Sequence, residues 1–281
     1  MRGIGQGLAV VAVAVLATGT VIVLHRPSAP AAVSSAPMVR RPAQRTLVLA
    51  ADSGFTVDEY STEASKQQLT VGDEHGTAQV WAYDPGSFDA QSLVRGQPVR
   101  FGGHDGWFAR EPVPTLFWRS PLGDWLAVSG SVAQESLFRL ARSVRLSRPT
   151  PVVGPVGLTW LPTGLALTFA RVGNGTSSEI FTARGRRSYD VRLSVYPRTS
   201  NDWINGTLGV GVPSTAVANY PAWYSMDADG HSEVLLEVGS CGLRIQVSDR
   251  DRVPLSTVGQ LLTGATIASC DDPGNWPPIL S

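Results

Sequence analysis

The stretch from Leu116 to Val144 decides how this chain folds. It contains Leu116-Phe-Trp-Arg119, then Trp125-Leu-Ala-Val-Ser-Gly130, then Leu137-Phe-Arg-Leu-Ala-Arg-Ser-Val144. The first two runs are short, apolar and bounded by turn residues, which is typical of β-strands. The third run carries its apolar residues at helical spacing, at Leu137, Leu140, Ala141 and Val144. Ser131 suits the N-cap of this helix, and Gln134 three residues later completes a capping box.

The residues from about 45 to this stretch also have the pattern of β-strands. Short apolar runs alternate with turn residues, and Asp84-Pro-Gly86 is a typical turn. The predicted strands are Thr46–Ala50, Gly54–Val57, Gln68–Val71, Ala78–Tyr83, Gln97–Phe101, Thr115–Arg119 and Asp124–Ser129.

A second copy of the pattern follows residue 151. Ser232–Val238 and Leu243–Val247 form a strand pair, and the alternation in the second strand predicts one buried and one wet face, as in an antiparallel sheet. Pro254 suits the first turn of a following helix. The apolar residues of that helix share one face, namely Leu255, Val258 and Leu262.

Two short matches support this repetition. Gly157-Leu-Thr-Trp160 echoes Gly54-Phe-Thr-Val57, and Leu193-Ser-Val-Tyr-Pro197 echoes Trp81-Ala-Tyr-Asp-Pro85. We therefore predict an α+β fold with two similar antiparallel-sheet-plus-helix units, residues 45–148 and 155–271, and an irregular tail over 272–281. The alternative is two unrelated β-rich domains.

The order of a tryptophan strand, a strand ending in Gly and a Leu-x-x-Leu-Ala-x-Ser-Val helix resembles a known group. It is similar to the extracytoplasmic domains of membrane-anchored anti-sigma-factor-like proteins and of bacterial sigma-regulator and lipoprotein-carrier proteins. The Arg-rich composition, in which Lys66 is the only lysine, is similar to that of actinobacterial proteins. Only Met1 and Arg2 precede the apolar run described next, so we expect no cytoplasmic sigma-binding domain in this chain.

The N-terminus predicts a membrane anchor. Residues 3–24 carry no charge, and a helix needs about 20 residues to cross a bilayer. We interpret residues 1–24 as a transmembrane signal anchor. The alternative is a cleaved secretory signal, with Arg2 as its basic start and the small residues of 29–36 as its cleavage region.

A linker rich in Pro and Ala, residues 25–44, separates the anchor from the folded part. Arginines flank the apolar run on both sides, and those after it (Arg26, Arg40, Arg41 and Arg45) would keep the bulk of the chain inside by the positive-inside rule. The Pro-rich spacer and the two cysteines favour the opposite orientation. We therefore expect a single-pass protein of the cell membrane with most of its chain extracellular.

Two cysteines, Cys241 and Cys270, are present in a chain with an export signal, which predicts a disulfide between them. The alternative is two free buried thiols. A metal site is not expected, because two thiolates need further ligands and His231 has no companion. The net charge of zero excludes the basic excess expected of a nucleic-acid-binding protein.

No motif in the sequence predicts catalysis, a cofactor or a metal. His104 lies beside Asp105, and His231 follows Asp227-Ala-Asp-Gly230, but glycines around both predict turns. We therefore predict a non-enzymatic binding protein whose partner is an envelope protein or a lipid-like ligand held between sheet and helix. One alternative is an exported hydrolase that uses His104 or His231 with a nearby Asp.

A second alternative is a cell-wall glycan-binding protein that uses exposed tryptophans. The chain has eight of them, and several lie at strand positions that suit the sheet–helix cores, which is the interpretation we favour. They are Trp81, Trp107, Trp118, Trp125, Trp160, Trp203, Trp223 and Trp276.

Overall fold

The computed structural model describes residues 42–94, 96–173, 175–183, 188–207 and 211–281. These residues belong to the compact unit of residues 36–281. The predicted anchor, residues 3–24, lies outside the described residues, as does the linker up to residue 41. Within the described ranges, no helix is long and apolar enough to cross a bilayer.

The described residues before 152 form the first half of the fold. It contains the helix α1 (Gln134–Ser143) and a single turn of 3-10 helix at Ala90–Leu93. Its strands are β1 (Gln44–Leu49), β2 (Thr56–Glu63), β3 (Lys66–Asp73), β4 (Gly76–Tyr83), β5 (Gln97–Phe101), β6 (His104–Ala109), β7 (Thr115–Arg119), β8 (Trp125–Gly130) and β9 (Val144–Pro151).

The second half contains the helices α2 (Asn201–Thr207) and α3 (Leu255–Thr263), with a 3-10 turn at Pro273–Asn275. Its strands are β10 (Val156–Leu158), β11 (Leu165–Gly173), β12 (Thr176–Ala183), β13 (Tyr189–Pro197), β14 (Thr215–Val217), β15 (Tyr220–Met226), β16 (Ser232–Val238), β17 (Cys241–Val247) and β18 (Ala265–Ile267).

Fourteen strands form one antiparallel sheet, which confirms the predicted antiparallel pairing. From its centre outward the order is β2-β3-β4-β8-β7-β6-β5 on one side and β11-β12-β13-β17-β16-β15-β14 on the other. The remaining strands pair as β1-β9 and β10-β18. The same order of elements therefore occurs in both halves, and the two sets of strands share one sheet rather than forming separate sheets.

The seam between the halves is the pairing of β2 with β11, from Glu63↔Phe169 to Glu59↔Gly173. A side chain at Gly173 would place its Cβ only 2.4 Å from the carbonyl oxygen of Asp58. Glycine therefore permits the close approach of the two backbones at this end of the seam.

Neither of the two sequence matches has the correct register. Gly157 lies in β10, which occupies the place of β1 in the repeated order, whereas Gly54 directly precedes β2. Gly and Thr spaced two residues apart are common near the start of a strand, so this short match does not identify equivalent positions in the two halves. The other match lies in the corresponding strands β13 and β4, but it too is out of register, because Leu193 is buried beside Ile245 whereas Trp81 points to the opposite face of the sheet.

The predicted capping box at Ser131 was also wrong. Helix α1 begins at Gln134, with Ala133 at the N-cap and no side-chain cap. Val132 is buried, and its Cγ1 lies 3.3 Å from where a Cβ on Gly76 would be, so the chain stays extended to bury this side chain. At the other end, Val144 begins β9 rather than ending the helix.

The core lies on one face of the sheet, called here the inner face. Helix α1 packs against β7 and β8 through Leu137, Leu140 and Ala141, all of which are buried. The predicted alternation in β17 is confirmed, because Leu243, Ile245 and Val247 are buried.

A disulfide joins Cys241 and Cys270, as predicted, with their Cα atoms 5.4 Å apart. It links the start of β17 to the segment that follows β18. In the predicted tail, Ile279 is buried, and its backbone N–H donates to the carbonyl of Val152.

Gln67 fastens the β1-β9 pair to the inner face of the sheet. Its Oε1 accepts hydrogen bonds from the backbone N–H groups of Thr46 (2.9 Å) and Leu47 (3.0 Å) and from the Thr46 hydroxyl (2.9 Å). Its Nε2 donates to the carbonyl of Gln44 at 2.8 Å. The side chain is fully buried, so all these groups are satisfied away from water.

Glu179 lies in the same cross-strand row on the other side of the seam. Gln67 pairs with Thr62, Thr62 with Ala170, and Ala170 with Glu179. Glu179 is 1% exposed, and neither of its carboxyl oxygens has a hydrogen-bond partner among the described residues. Burial raises the pKa of Glu179 to about 8.

We predict that Gln67→Ala lowers the free energy of unfolding by roughly 2–4 kcal/mol, because two backbone N–H groups of β1 lose their acceptor in a buried site. The matched control is Gln68→Ala, since Gln68 faces the opposite side of the sheet and bonds Trp81 Nε1 at 3.1 Å. Urea unfolding measures both variants. Equal losses of stability in the two variants would contradict the role assigned to Gln67.

A second prediction concerns pH. The folded state holds the Glu179 proton up to about pH 8, whereas the unfolded chain releases it near the ordinary glutamate pKa of 4.5. This contribution to stability is therefore complete below pH 4.5. It is lost by up to about 1.4 kcal/mol per pH unit as the pH rises towards 8.

Glu179→Gln should flatten this slope and raise stability at pH 8, while Glu135→Gln, on the exposed side of α1, should leave the slope unchanged. The measurement is thermal unfolding at a series of pH values from 4 to 9. A slope that is the same in Glu179→Gln and in the unsubstituted protein would refute the prediction.

Candidate functional site

A cleft of about 410 Å³ opens on the inner face of the first half, where the end of α1 meets the edge of the sheet. Its buried walls are mainly apolar and come from β7, β8, the last turn of α1 and the start of β9, through Trp118, Leu126, Ala141 and Val144. Leu122, in the β7–β8 turn, lies at the rim and is 49% exposed. The volume lies within the range of small-molecule sites.

The β5–β6 turn forms one side of the cleft. Phe101 pairs with His104 across Gly102 and Gly103, which both have positive φ values (52° and 84°), as two-residue hairpin turns require. A Cβ on Gly102 would lie 2.9 Å from Cγ of Arg142. Glycine thus lets the Arg142 side chain lie across the turn, beside His104.

Two arginines, Arg142 in the last turn of α1 and Arg145 in β9, make the mouth of the cleft positive. Arg142 Nε donates to the carbonyl of Phe138 at 3.1 Å, and Arg145 Nη1 donates to the carbonyl of Val144 at 2.8 Å. These bonds to the end of the helix fix the directions of both side chains. No carboxylate of the described residues lies within 4.0 Å of either guanidinium, so N–H groups remain for a ligand.

The equivalent helix of the second half lacks this charge. Helix α3 has no basic residue in its last turn, whereas α1 has Arg142. The repeated order of elements therefore does not repeat this chemistry, and the cationic cleft is a feature of the first half. A cleft with apolar side chains in its buried walls and a cationic mouth fits a ligand that has an apolar tail and an anionic head.

The two His–Asp pairs of the hydrolase alternative differ in geometry: one is separated by the sheet and the other is in contact. His104 and Asp105 are consecutive residues of β6, so their side chains point to opposite faces of the sheet, and Asp105 lies 3.9 Å from Arg100. The structure does bring His231 Nδ1 to within 3.0 Å of Asp227 Oδ2, and it places both beside a surface cleft of about 470 Å³.

Asp227 shapes the β15–β16 hairpin. Its Oδ1 accepts from the backbone N–H groups of Asp229 and His231, and the bond from the His231 N–H is the main cause that lowers the pKa of this exposed carboxyl. This is the turn that the sequence predicted here. In the described part of the chain, no three His, Cys, Asp or Glu side chains lie close enough together to hold a metal ion.

The tryptophans differ from the prediction that they fill the sheet–helix cores. Trp118 does so, at 2% exposure, but Trp81, Trp107 and Trp125 are half-buried on the opposite face, called here the outer face. The reason is strand alternation, since their neighbours Ala82, Phe108 and Leu126 take the inner positions. Trp203 is buried too, but against Gly242 on the outer face.

The outer-face aromatics are partly covered by the connection between β4 and β5. Phe88, in this connection, stacks on Trp125 with ring centroids 4.6 Å apart and contacts Phe117 and Tyr83. Trp160 lies outside this group of rings, and its side chain is 42% exposed. The rings around Phe88 therefore pack against one another and do not form an open aromatic surface for a sugar.

No protein-family model and no curated protein sequence matches the chain. Among solved structures, the complex of MucA and MucB from Pseudomonas aeruginosa matches with a TM-score of 0.25 and 11% identity, over 76% of this chain and 93% of that chain. MucB in complex with MucA(peri) matches with a TM-score of 0.24, at the same identity and coverage. TM-scores this low transfer neither a fold nor a partner to the chain.

Proposed function

We propose that this chain is a membrane-anchored, extracytoplasmic binding protein that holds a lipid-like anionic ligand in the cleft beside α1. The observation that carries the proposal is the pairing of buried apolar walls with two guanidiniums that have no carboxylate partner among the described residues. The ligand would be an amphiphile with one apolar chain and a phosphate or carboxylate head.

The energetics of the cleft suit such a ligand. Burial of an eight-carbon chain contributes up to about 6 kcal/mol, at about 0.8 kcal/mol for each CH₂ group, before the cost of association. Charge-assisted hydrogen bonds from Arg142 and Arg145 to the head group add to this and select for negative charge. Neither term requires a reacting group, so the proposal is binding without catalysis.

The location is also part of the proposal. Residues 3–24 would hold the protein in the membrane, and residues 45–281 would lie outside it. The Cys241–Cys270 disulfide supports this placement, because such bonds persist in oxidising compartments. We propose further that the two halves of the fold correspond to two similar units, 45–148 and 155–271, and that the first unit carries the ligand.

The test uses the full chain in lipid nanodiscs, with empty nanodiscs as the blank, and octyl phosphate as the probe. We predict that Arg142→Ala combined with Arg145→Ala weakens octyl phosphate binding at least tenfold in calorimetric titration, because two charge-assisted hydrogen bonds are lost. Replacement of both residues by Lys should restore part of the affinity.

Two controls define the result. Arg148→Ala removes an exposed arginine of β9 and should leave binding unchanged, and octyl glucoside, whose head is neutral, should bind equally to all variants. Thermal unfolding shows that each variant is folded. The proposal fails if the unsubstituted protein does not bind octyl phosphate more tightly than octyl glucoside, or if the double Ala variant binds it normally.

A further inference from the structure

The outer face of the second half carries a polar basin of about 500 Å³. Its floor lies on the cross-strand row Arg171–Ser178–Ser194–Arg244, which runs over β11, β12, β13 and β17. Neighbouring strands are about 4.8 Å apart, so the two arginines stand roughly 14 Å from each other with the two serines between them.

The centre of the floor offers hydroxyl groups. Ser178 Oγ and Ser194 Oγ are 3.4 Å apart, at the limit of a hydrogen bond. A ligand oxygen above the pair can therefore accept from both hydroxyls.

A third arginine closes one side of the basin. Arg192 pairs with Ile180 and Gln246, one row away from the two serines on the same face. The guanidiniums at the ends of the floor row already have partners, since Arg171 lies 3.4 Å from Glu59 and Arg244 lies 2.6 Å from Glu233. No carboxylate of the described residues lies within 4.0 Å of Arg192, which is exposed.

Aromatic side chains complete the lining. Tyr196 lies at one side of the basin and Phe169 at the other, and both are half-buried. Aromatic rings suit the apolar faces of sugar rings, while hydroxyls and guanidiniums suit a carboxylate or phosphate.

The geometry points to a second ligand site here, which binds a saccharide with a carboxylate or phosphate group. Arg192 is the residue that meets the anion, Ser178 and Ser194 bond its oxygens or the sugar hydroxyls, and Tyr196 packs on the ring. This site is on the opposite face of the sheet from the cleft beside α1 and in the other half, so the two proposals stand or fall separately.

The test is NMR or calorimetric titration of the full chain in lipid nanodiscs with four probes: glucuronic acid, glucose 6-phosphate, glucose and a tetraglutamate peptide. We predict saturable binding of both anionic sugars and at least tenfold weaker binding of glucose. Arg192→Ala should weaken the anionic sugars at least tenfold. Arg198→Ala, which removes an arginine already paired with Glu237, should leave them unchanged.

Ser178→Ala combined with Ser194→Ala provides a second variant that keeps all three charges and should also weaken binding. The inference is overturned if neither anionic sugar binds the unsubstituted protein, or if Arg192→Ala binds them normally. It is also overturned if tetraglutamate binds more tightly than both sugars, because the basin would then be a site for an acidic peptide.

Discussion

The pairing of β2 with β11 is the constraint on which the rest of this fold depends. It joins two seven-stranded arrays that follow the same order, and it covers the edge strand that each array would otherwise expose. Because the seam continues the ladder without a break, both inner faces belong to one surface. Helices α1 and α3 and the β1-β9 and β10-β18 pairs cover this surface.

Gln67 and Glu179 lie in the same cross-strand row, on either side of the seam, but they have different roles. On one side Gln67 satisfies three donors and one acceptor of β1 and so fixes the outlying pair in place. On the other side the carboxyl oxygens of Glu179 have no hydrogen-bond partner among the described residues, and burial raises the pKa of Glu179 to about 8. Both halves therefore have a polar side chain at this position of the inner face, but of these two residues only Gln67 attaches an outlying strand pair to the sheet.

Local sequence pattern was enough to place several elements. Gln97–Phe101 and Thr115–Arg119 have the predicted bounds, since apolar runs between turn residues leave little choice of register. The Cys241–Cys270 bridge followed from an even cysteine count. By contrast, the start of α1 depended on the burial of Val132 against Gly76, a contact between residues 56 positions apart that no local pattern reports.

The candidate site was predictable only in outline. A ligand between sheet and helix was expected, but the cleft depends on Gly102 lying against Arg142, again across 40 residues of sequence. The tryptophans illustrate the same limit, because strand alternation shows that two faces exist but not which face the helix covers. Trp107 and Trp125 lie on the outer face, where Phe88 stacks on Trp125 and Trp107 contacts Trp125.

Hydrogen–deuterium exchange of the full chain in lipid nanodiscs, with and without octyl phosphate, tests directly whether the cleft beside α1 binds the amphiphile. If the cleft beside α1 binds the amphiphile, exchange should slow in the last turn of α1, in the Gly102–Gly103 turn and in the β7–β8 turn around Leu122. Exchange in α3 and β14 should not change. Unchanged exchange around α1, or slowing confined to the second half, would contradict the assignment of this cleft as the ligand site.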